Sequence, residues 1–191
     1  MTAAEVGRAA LESERLSLRR LERRDLPMLL AYRNDPEVAR YQGWGEAFSA
    51  DDAEAMLAVQ LAAAPGTPGV WFRWMLEEKA TGRVVGDCAL CVDADEPRQA
   101  EIGFTLAREH QGRGLAAEAV RRVLDFAFGE LGLHRVAAIT DARNAAAAAL
   151  LQRLGMRREG HFLQSVWYKG AWGDELRFAI LRSEWKGAEP A

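Results

Sequence analysis

The chain has 191 residues, of which 49% are hydrophobic and 28% charged, a composition typical of a folded globular domain and not of a disordered chain. Its formal net charge of −3 argues against binding to a nucleic-acid backbone. No apolar run approaches the ~20 residues that a membrane helix needs, and the N-terminus has no secretory-leader pattern. We therefore expect a cytoplasmic protein with neither a nucleic-acid nor a membrane partner.

The first half of the chain predicts one strand followed by helices. Residues 1–14 lack a strong apolar pattern, so we expect a flexible N-terminal arm there. Leucines that alternate with arginines over 15–21 predict the first strand. The apolar residues that follow have helical spacing, and Asp25 is the expected N-cap of that helix. A further helix is expected over 49–63, opened by Ser49 and carrying acidic residues in its first turn.

The second half of the chain predicts most of a sheet. Strand-like runs cover 70–78, 84–93, 99–107 and 134–140, and two long strands follow at about 158–169 and 175–182. Amphipathic patterns predict helices over 115–129 and 144–155. This order predicts a mixed α/β (α+β) fold, in which a central, mostly antiparallel sheet carries helices on both faces. We expect a single domain over 15–185 and a C-terminal tail over 186–191.

The two cysteines, Cys88 and Cys91, have a C-x-x-C spacing within a strand-like run. Residues three apart in a strand point to opposite faces, whereas the redox motif usually opens a helix. A closed zinc site needs about four ligands, and the three histidines show no paired spacing. We therefore expect two buried, reduced core thiols and no metal site.

The segment 101–120 carries the clearest functional pattern. A strand is followed by a short polar loop, and Gly112 and Gly114 lie where a helix begins. A helix N-terminus offers unbonded N–H groups and a partial positive charge, and it can therefore bind phosphate groups. Arg113 and Arg108 could add charge-assisted hydrogen bonds. A phosphate-bearing ligand and a merely glycine-eased loop both fit this pattern, whereas the nucleotide-hydrolase loop and the dinucleotide fingerprint do not.

Four stretches of the sequence resemble one family. Residues 111–116, QGRGLA, are similar to the Q/R-x-x-G-x-G/A signature of the GNAT superfamily of N-acetyltransferases. Asn144 and the RLGM run at 153–156 resemble a second block of that family. The R-N-D-P-E-V run and the closing WYKGAWGDELRFAIL resemble the branch that acetylates the N-termini of ribosomal proteins. Together these matches extend over roughly residues 15–185 in the family's order.

The resemblance implies acetyl-CoA as the cosubstrate and a primary amine, either a protein N-terminus or a small-molecule amine, as the acceptor. The donor would lie in a cleft between two splayed parallel strands, where the amine would attack it directly in a ternary complex. The family's donor contacts fall on the backbone of Phe104, Thr105, Leu106, Gln111, Gly112, Arg113, Gly114, Leu115 and Ala116, and its pantetheine contact falls on Asn144.

Proton transfer involves residues on which this chain partly departs from the family. A general base must lie within hydrogen-bond reach of the amine, directly or through one water, and Glu101 is the expected base. A solvated carboxylate at a strand end would give the same pattern. Many family members carry a Tyr and a Ser after the Asn where this chain has Leu151 and Ala147. The candidate proton donors are therefore water, Ser165 and Tyr168.

The acceptor site is expected between the 33–46 loop, the helix over 49–63 and the last hairpin. Its candidate aromatic residues are Tyr41, Trp44, Trp71, Trp167 and Trp172, and its candidate acids are Glu46, Asp51, Asp52 and Glu54. The tryptophans could instead form a homodimer contact or ordinary core and rim packing. Acids at the start of a helix also need no functional reason, because the helix dipole favours them there.

Two alternatives to acetyl transfer stay open from the sequence. The absence of the Tyr and the Ser would also suit a non-catalytic CoA-binding sensor or scaffold. A larger acyl-CoA, such as succinyl-CoA, would change the group transferred and leave the rest of the scheme intact.

Overall fold

An eight-stranded sheet forms the centre of the structure, a computed structural model that describes residues 10–44 and 47–187. The strands are β1 (Leu11–Glu12), β2 (Leu16–Arg20), β3 (Trp71–Glu78), β4 (Arg83–Val92), β5 (Gln99–Leu106), β6 (Arg135–Asp141), β7 (Arg157–Tyr168) and β8 (Ala171–Leu181). Their order across the sheet is β1-β2-β3-β4-β5-β6-β8-β7. Among these described strands, β5 and β6 form the one parallel pair and the other neighbours are antiparallel. The predicted mixed, mostly antiparallel sheet is confirmed.

Helices cover both faces of this sheet. They are α1 (Leu26–Arg33), α2 (Pro36–Ala39), α3 (Ala50–Ala62), α4 (Leu115–Gly129) and α5 (Ala145–Arg153). Adjacent residues of β3 show the two sides: Trp74 packs in the core that α4 and α5 share, and Met75 packs in the core that α1 and α3 share. No helix in the described part of the chain is long and apolar enough to span a bilayer.

The two predicted helix starts have different outcomes. Ser49 caps α3 as expected: its hydroxyl accepts a hydrogen bond from the Asp52 N–H at 3.1 Å. Asp25 occupies the N-cap position of α1 as expected, but its side chain makes no capping hydrogen bond, because the carboxylate accepts two hydrogen bonds from the Arg19 guanidinium at 2.7 and 2.8 Å. A bidentate, charge-assisted pair is stronger than a neutral cap, so Asp25 joins β2 to the turn that precedes α1.

The sheet extends into the segment predicted to be a flexible arm. Leu11 is buried, and β1 pairs with β2 at the edge of the sheet. The Ser13 hydroxyl and the Arg15 guanidinium each donate to the Glu118 carboxylate of α4 at 2.7 Å. Residues 11–14 therefore belong to the folded domain, which corrects the expected boundary at residue 15. Residues 1–9 and 188–191 lie outside the described residues, as does most of the expected tail over 186–191.

The two cysteines lie on opposite faces of β4, as strand alternation predicts. Cys88 is buried in the core beneath α4, where burial raises the pKa of its thiol. Cys91 is half-buried on the other face, opposite Glu101 of β5, so the expectation of two buried core thiols is wrong for this residue.

The last two strands form a tighter hairpin than expected. A two-residue turn at Lys169 and Gly170 joins them, with φ of 51° and 75°. Positive φ at both turn positions matches the twist of a two-residue hairpin, and glycine adopts it without a steric penalty. As a result β8 begins at Ala171, earlier than the predicted start at 175.

The parallel pair separates shortly after it forms. Glu101 faces Ala137 in the last of its three registered positions, after which β5 continues to Leu106 and β6 to Asp141 without pairing to each other. This is the expected splayed pair, and it opens a gap in the middle of the sheet between the two helical layers.

Candidate active site

A cleft with a cavity volume of about 520 Å³ occupies the gap between β5 and β6. Its walls are residues 102–106 of β5 and 138–140 of β6, and its ends are the first turns of α4 and α5. On the side of β5 that faces the gap, the backbone beyond Glu101 has no strand partner among the described residues. These polar backbone groups can bind the amides of an extended ligand, as a sheet edge binds a peptide.

The N-terminus of α4 closes one end of this cleft. The first hydrogen bond of α4 runs from the Glu118 N–H to the Gly114 carbonyl at 3.1 Å, so the preceding N–H groups have no acceptor within the helix. Gly112 has φ of 75° and Gly114 has φ of 79°. A Cβ at Gly112 would meet no atom within 4 Å and would enter the space beside the helix end. The arrangement fits a diphosphate that approaches the backbone closely.

The side chain of Arg113 does not reach the cleft, contrary to the expectation that it lies beside the diphosphate. Its guanidinium pairs with Glu78 at the end of β3, and its Nη1 lies 3.2 Å from Nδ1 of His110. The nearly buried Glu78 carboxylate needs a cation, and Arg113 supplies it. Arg108 and Arg153 line the cleft instead. Arg153 is the first residue of the RLGM run, but the sequence spacing of that run does not predict that its side chain lines the cleft.

Asn144 begins α5 as well as lining the cleft. Its Oδ1 accepts a hydrogen bond from the Ala147 N–H at 3.1 Å, which makes it the N-cap of the helix. This capping bond fixes the carboxamide at the cleft wall. Gln111 donates from Nε2 to the Leu106 carbonyl at 3.1 Å and so ties the α4 loop to β5. The Leu115 side chain is buried in the core, so only its backbone can serve the cleft.

A second cavity of about 420 Å³ lies on the α1 side of the sheet and adjoins the cleft. The two share a wall made of residues 102–105 of β5, Ile139 and Thr140 of β6, and Tyr41 and Gln42 of the loop after α2. The splay of β5 and β6 therefore connects a site for an extended donor with a site for a second molecule. We call this second space the acceptor cavity.

Glu101 lines the acceptor cavity at the point where the two strands separate. It lies on the same side of β5 as Gly103 and Thr105, as alternation predicts. Burial raises the pKa of the Glu101 carboxyl, Arg177 opposes this rise, and Glu175 adds to it. A carboxylate whose pKa is raised toward neutrality suits a general base.

Tyr168 also lines the acceptor cavity, whereas Ser165 does not. The Tyr168 hydroxyl donates to the Asp141 carboxylate and accepts from Arg143 at 3.3 Å. Burial and the Asp141 carboxylate raise the pKa of Tyr168, so it stays protonated at neutral pH. Ser165 is exposed on β7 and donates to Glu175 at 2.9 Å. Of the two side chains considered as proton donors, the structure brings only Tyr168 to the cavity.

The predicted aromatic residues divide into two groups. Tyr41, Trp44 and Trp71 line the acceptor cavity. Trp167 and Trp172 form an edge-to-face pair on the outside of the last hairpin, with ring centroids 5.4 Å apart and each residue 58% exposed. The acceptor-pocket interpretation is therefore wrong for these two.

The predicted acids do not line the acceptor cavity. Within the described part of the chain α3 contributes no residue to it, since Asp52 caps the helix and Glu54 pairs with Arg23. Asp51 is exposed on α3, and Glu46 lies outside the described residues. The cavity takes its acids from the strands instead: Glu101, Asp141, Asp174 and Glu175. Asp174 and Glu175 were present in the closing motif, but their orientation depends on the pairing of β8 with β6.

Comparison with known proteins identifies relatives of the whole chain. A family model described as "Acetyltransferase (GNAT) domain" matches residues 15–157. The uncharacterised N-acetyltransferase p20 of Bacillus licheniformis is 33% identical over 177 residues, which cover 93% of this chain and 98% of that protein.

A solved structure with bound ligands and a relative from the ribosomal branch are also similar to this chain. The crystal structure of spermidine N-acetyltransferase from Vibrio cholerae in complex with CoA and spermine matches with a TM-score of 0.78 and 27% identity, covering 89% of this chain and 97% of that one. The putative ribosomal N-acetyltransferase YdaF of Bacillus subtilis is 34% identical over 90 residues, 47% of this chain and 49% of its own. The resemblance to the ribosomal branch therefore has only weak support.

Proposed function

Because this chain belongs to the GNAT family of acetyltransferases and depends on acetyl-CoA, we propose that it acetylates a primary amine by direct attack within a ternary complex. The observation that carries the proposal is the wall of residues 102–105, which the cleft and the acceptor cavity share. The acceptor is a small-molecule amine or a protein N-terminus. The Vibrio cholerae relative, described with CoA and spermine, supports an amine acceptor.

The cleft supplies the groups that would hold the donor, whose thioester provides an activated acetyl group. Backbone groups of Phe104, Thr105 and Leu106 would bind the pantetheine amides. The free N–H groups at the start of α4, with Arg108 and Arg153, would bind the phosphates. Asn144 would add a side-chain amide from the start of α5.

Glu101 is the proposed general base. It lies at the last registered position of β5 and β6 and lines the acceptor cavity, next in the chain to the wall that the cavity shares with the cleft. As a carboxylate it would accept the proton of the attacking amine, directly or through one water. Its raised pKa makes that proton acceptance more favourable than for a fully solvated Glu.

Tyr168 is the proposed proton donor to the leaving thiolate. Its hydroxyl donates to Asp141 and accepts from Arg143, so protonation of the thiolate would require this proton to turn from Asp141 toward the sulfur. Leu151 and Ala147 line the cleft and have no proton to donate, so their positions cannot perform this step.

The test of this function is amine-dependent thiol release from acetyl-CoA. The panel contains polyamines, ω-amino acids and short peptides with free N-termini, and mass spectrometry identifies the acetylated product. We expect one class of amine to raise thiol release well above the rate without an acceptor. Thiol release that no amine accelerates would contradict the proposal. The same panel with succinyl-CoA tests the larger acyl group.

A further inference from the structure

Arg33, the last residue of α1, is a buried cation in the wall of the acceptor cavity. Only 4% of the residue is exposed. Its guanidinium carbon lies 4.2 Å from the centre of the Trp44 ring and 4.8 Å from that of Phe48. The Trp44 indole N–H in turn donates to the Arg33 carbonyl at 3.2 Å. Two aromatic rings therefore hold the guanidinium in one orientation.

No carboxylate in the described residues forms an ion pair with Arg33, although the charge of Asp87 acts on it from a distance. Its Nε is buried without a hydrogen-bond partner, and no carboxylate of the described chain lies within 4.0 Å of it. The neighbouring Arg73 pairs with Asp87, whose other oxygen accepts from the Tyr32 hydroxyl at 2.6 Å. Asp87 is therefore already engaged. A buried cation that has no ion pair of its own is costly to the fold, so a retained one points to a ligand that supplies the paired anion.

The acids of the acceptor cavity lie at its opposite end. Glu101 belongs to β5, and Glu175 to β8 beyond it. Burial lowers the pKa of Arg33, the Asp87 charge opposes this, and the charge of nearby Arg73, which belongs to β3, lowers it further. Because β4 separates β3 from β5, those two strands lie about 9.5 Å apart, or two strand spacings, and the cationic and anionic groups are separated in that direction. The cavity thus has a cationic end and an anionic end.

We propose that the acceptor is an aminocarboxylate: a molecule whose primary amine lies at Glu101 and whose carboxylate binds Arg33. This inference rests on the proposed acetyl transfer and narrows its acceptor. The planar guanidinium can bind a carboxylate through two parallel hydrogen bonds, and the unpartnered N–H of Nε is one of the available donors. A polyamine has no anionic group for this end of the cavity and would place a second cation beside Arg33.

The separation of the two ends also predicts a length preference. An α-amino acid places its amine and carboxylate on one carbon and cannot reach both ends. An ω-amino acid with a flexible chain can, so 6-aminohexanoate is expected to be a better acceptor than glycine.

The test compares acceptors that differ only at the end distant from the amine: 6-aminohexanoate, its carboxamide and 1,6-diaminohexane. We expect kcat/KM for the carboxylate to exceed that for the carboxamide at least tenfold in the wild-type enzyme. Arg33→Met should abolish this preference and leave the KM for acetyl-CoA unchanged. Arg24→Gln, an exposed arginine on the preceding turn that pairs with Glu22, is the matched control and should keep the preference.

A binding measurement separates this inference from the proposed function. Addition of 6-aminohexanoate to the CoA complex should change the intrinsic tryptophan fluorescence, to which Trp44 beside Arg33 contributes. The change should be absent in Arg33→Met. Equal rates with carboxylate and carboxamide, or a preference for the diamine, would overturn the inference while amine acetylation stands. A fluorescence change without turnover of any amine would reject the proposed function and keep the anion site. If Arg33→Met does not fold, the wild-type comparison of carboxylate with carboxamide decides.

Discussion

At the scale of single residues, Glu101 shows how a position in the sheet changes the chemistry of a common side chain. Glutamate at a strand end is ordinarily solvated, but here the residue lies where β5 leaves β6 and becomes partly buried. Burial raises its pKa, with Arg177 opposing and Glu175 reinforcing the change. In the proposed mechanism the same carboxylate would act as the base, and its ionisation reduces stability.

Replacement of Glu101 by Gln should therefore separate activity from stability. We expect kcat to fall about 10²- to 10⁴-fold, the usual contribution of a general base. Since the folded-state pKa lies above the unfolded value, ionisation of Glu101 lowers stability as pH rises through that interval, and the variant should be more stable at pH 7. Rate measurements against pH, together with thermal unfolding, test both expectations.

The wild-type pH profile provides the control for that variant. Activity of the wild type should rise with pH as Glu101 loses its proton, and this acidic limb should disappear in Glu101→Gln. A variant with unchanged turnover and an unchanged acidic limb would remove Glu101 from the role of base.

Asp141 is the opposite case, a buried carboxylate that is well paired. Burial works against its ionisation, but hydrogen bonds from Arg143 and Tyr168 lower its pKa from 3.8 to about 2. The stabilisation of about 2 kcal/mol is complete above the unfolded pKa and disappears as pH falls through the folded value.

We therefore expect Asp141→Asn to lower the free energy of unfolding by about 2 kcal/mol at pH 7 and by much less near pH 2. Denaturant unfolding at both pH values measures the difference. Asp51→Asn on the exposed face of α3 is the control and should change little at either pH. A deficit for Asp141→Asn that is the same at both pH values would contradict the assigned pairing.

At the scale of elements, the start of α4 is the part of the donor site that depends most on backbone conformation. Gly112 needs a positive φ, and the space beside it is open. An L-residue there costs about 1–2 kcal/mol in the left-handed region, and its Cβ would occupy the space proposed for phosphate.

Gly112→Ala should therefore weaken CoA binding about tenfold, the equivalent of about 1.4 kcal/mol. Gly82→Ala is a matched control, because Gly82 also has a positive φ, 64°, with no atom near its Cβ position, but lies in the β3–β4 turn. Calorimetric titration with CoA measures both. Equal losses of affinity in the two variants would show that strain, and not access to the helix end, is responsible.

The same scale shows which helix boundaries a sequence can predict. Ser49 and Asp52 are three residues apart and satisfy each other's backbone N–H groups, so the start of α3 is encoded locally. Asp25 is also a residue type that favours a helix N-cap, but its carboxylate binds Arg19 of β2 through two hydrogen bonds and does not cap α1. Arg113 likewise pairs with Glu78, and its side chain therefore does not reach the cleft. In both cases a charged partner from a neighbouring strand or turn decides the outcome.

At the scale of the whole molecule, the last hairpin carries half of the large exposed apolar side chains of the described residues. β7 is the outermost strand of the sheet, and it carries Leu163, 71% exposed, as well as Trp167 of the Trp167–Trp172 pair. An unpaired strand edge with exposed aromatic residues favours association. The homodimer contact considered from the sequence stays a prediction, and this hairpin is where we place it.

Sedimentation velocity tests that prediction. We expect a species of twice the chain mass at micromolar concentration, and the double substitution Trp167→Ser, Trp172→Ser should shift it toward the monomer. Val59→Ser on α3, where Val59 is 50% exposed, serves as the control and should leave the mass unchanged. A wild-type protein that is monomeric at all concentrations tested would refute the contact.

Apart from β1, the order of the strands and main helices and the helix start at Gly114 followed from the sequence alone, and the family resemblance supplied the splayed parallel pair. These features depend on residue periodicity and on motifs whose members lie within a few positions of one another, so local spacing and the family resemblance were sufficient. The tertiary structure alone decided that Arg33, Asp174 and Glu175 meet Glu101 around one cavity, and that Trp167 and Trp172 do not. Those residues come from distant segments, and their meeting depends on strand register and on which charged partner each side chain finds.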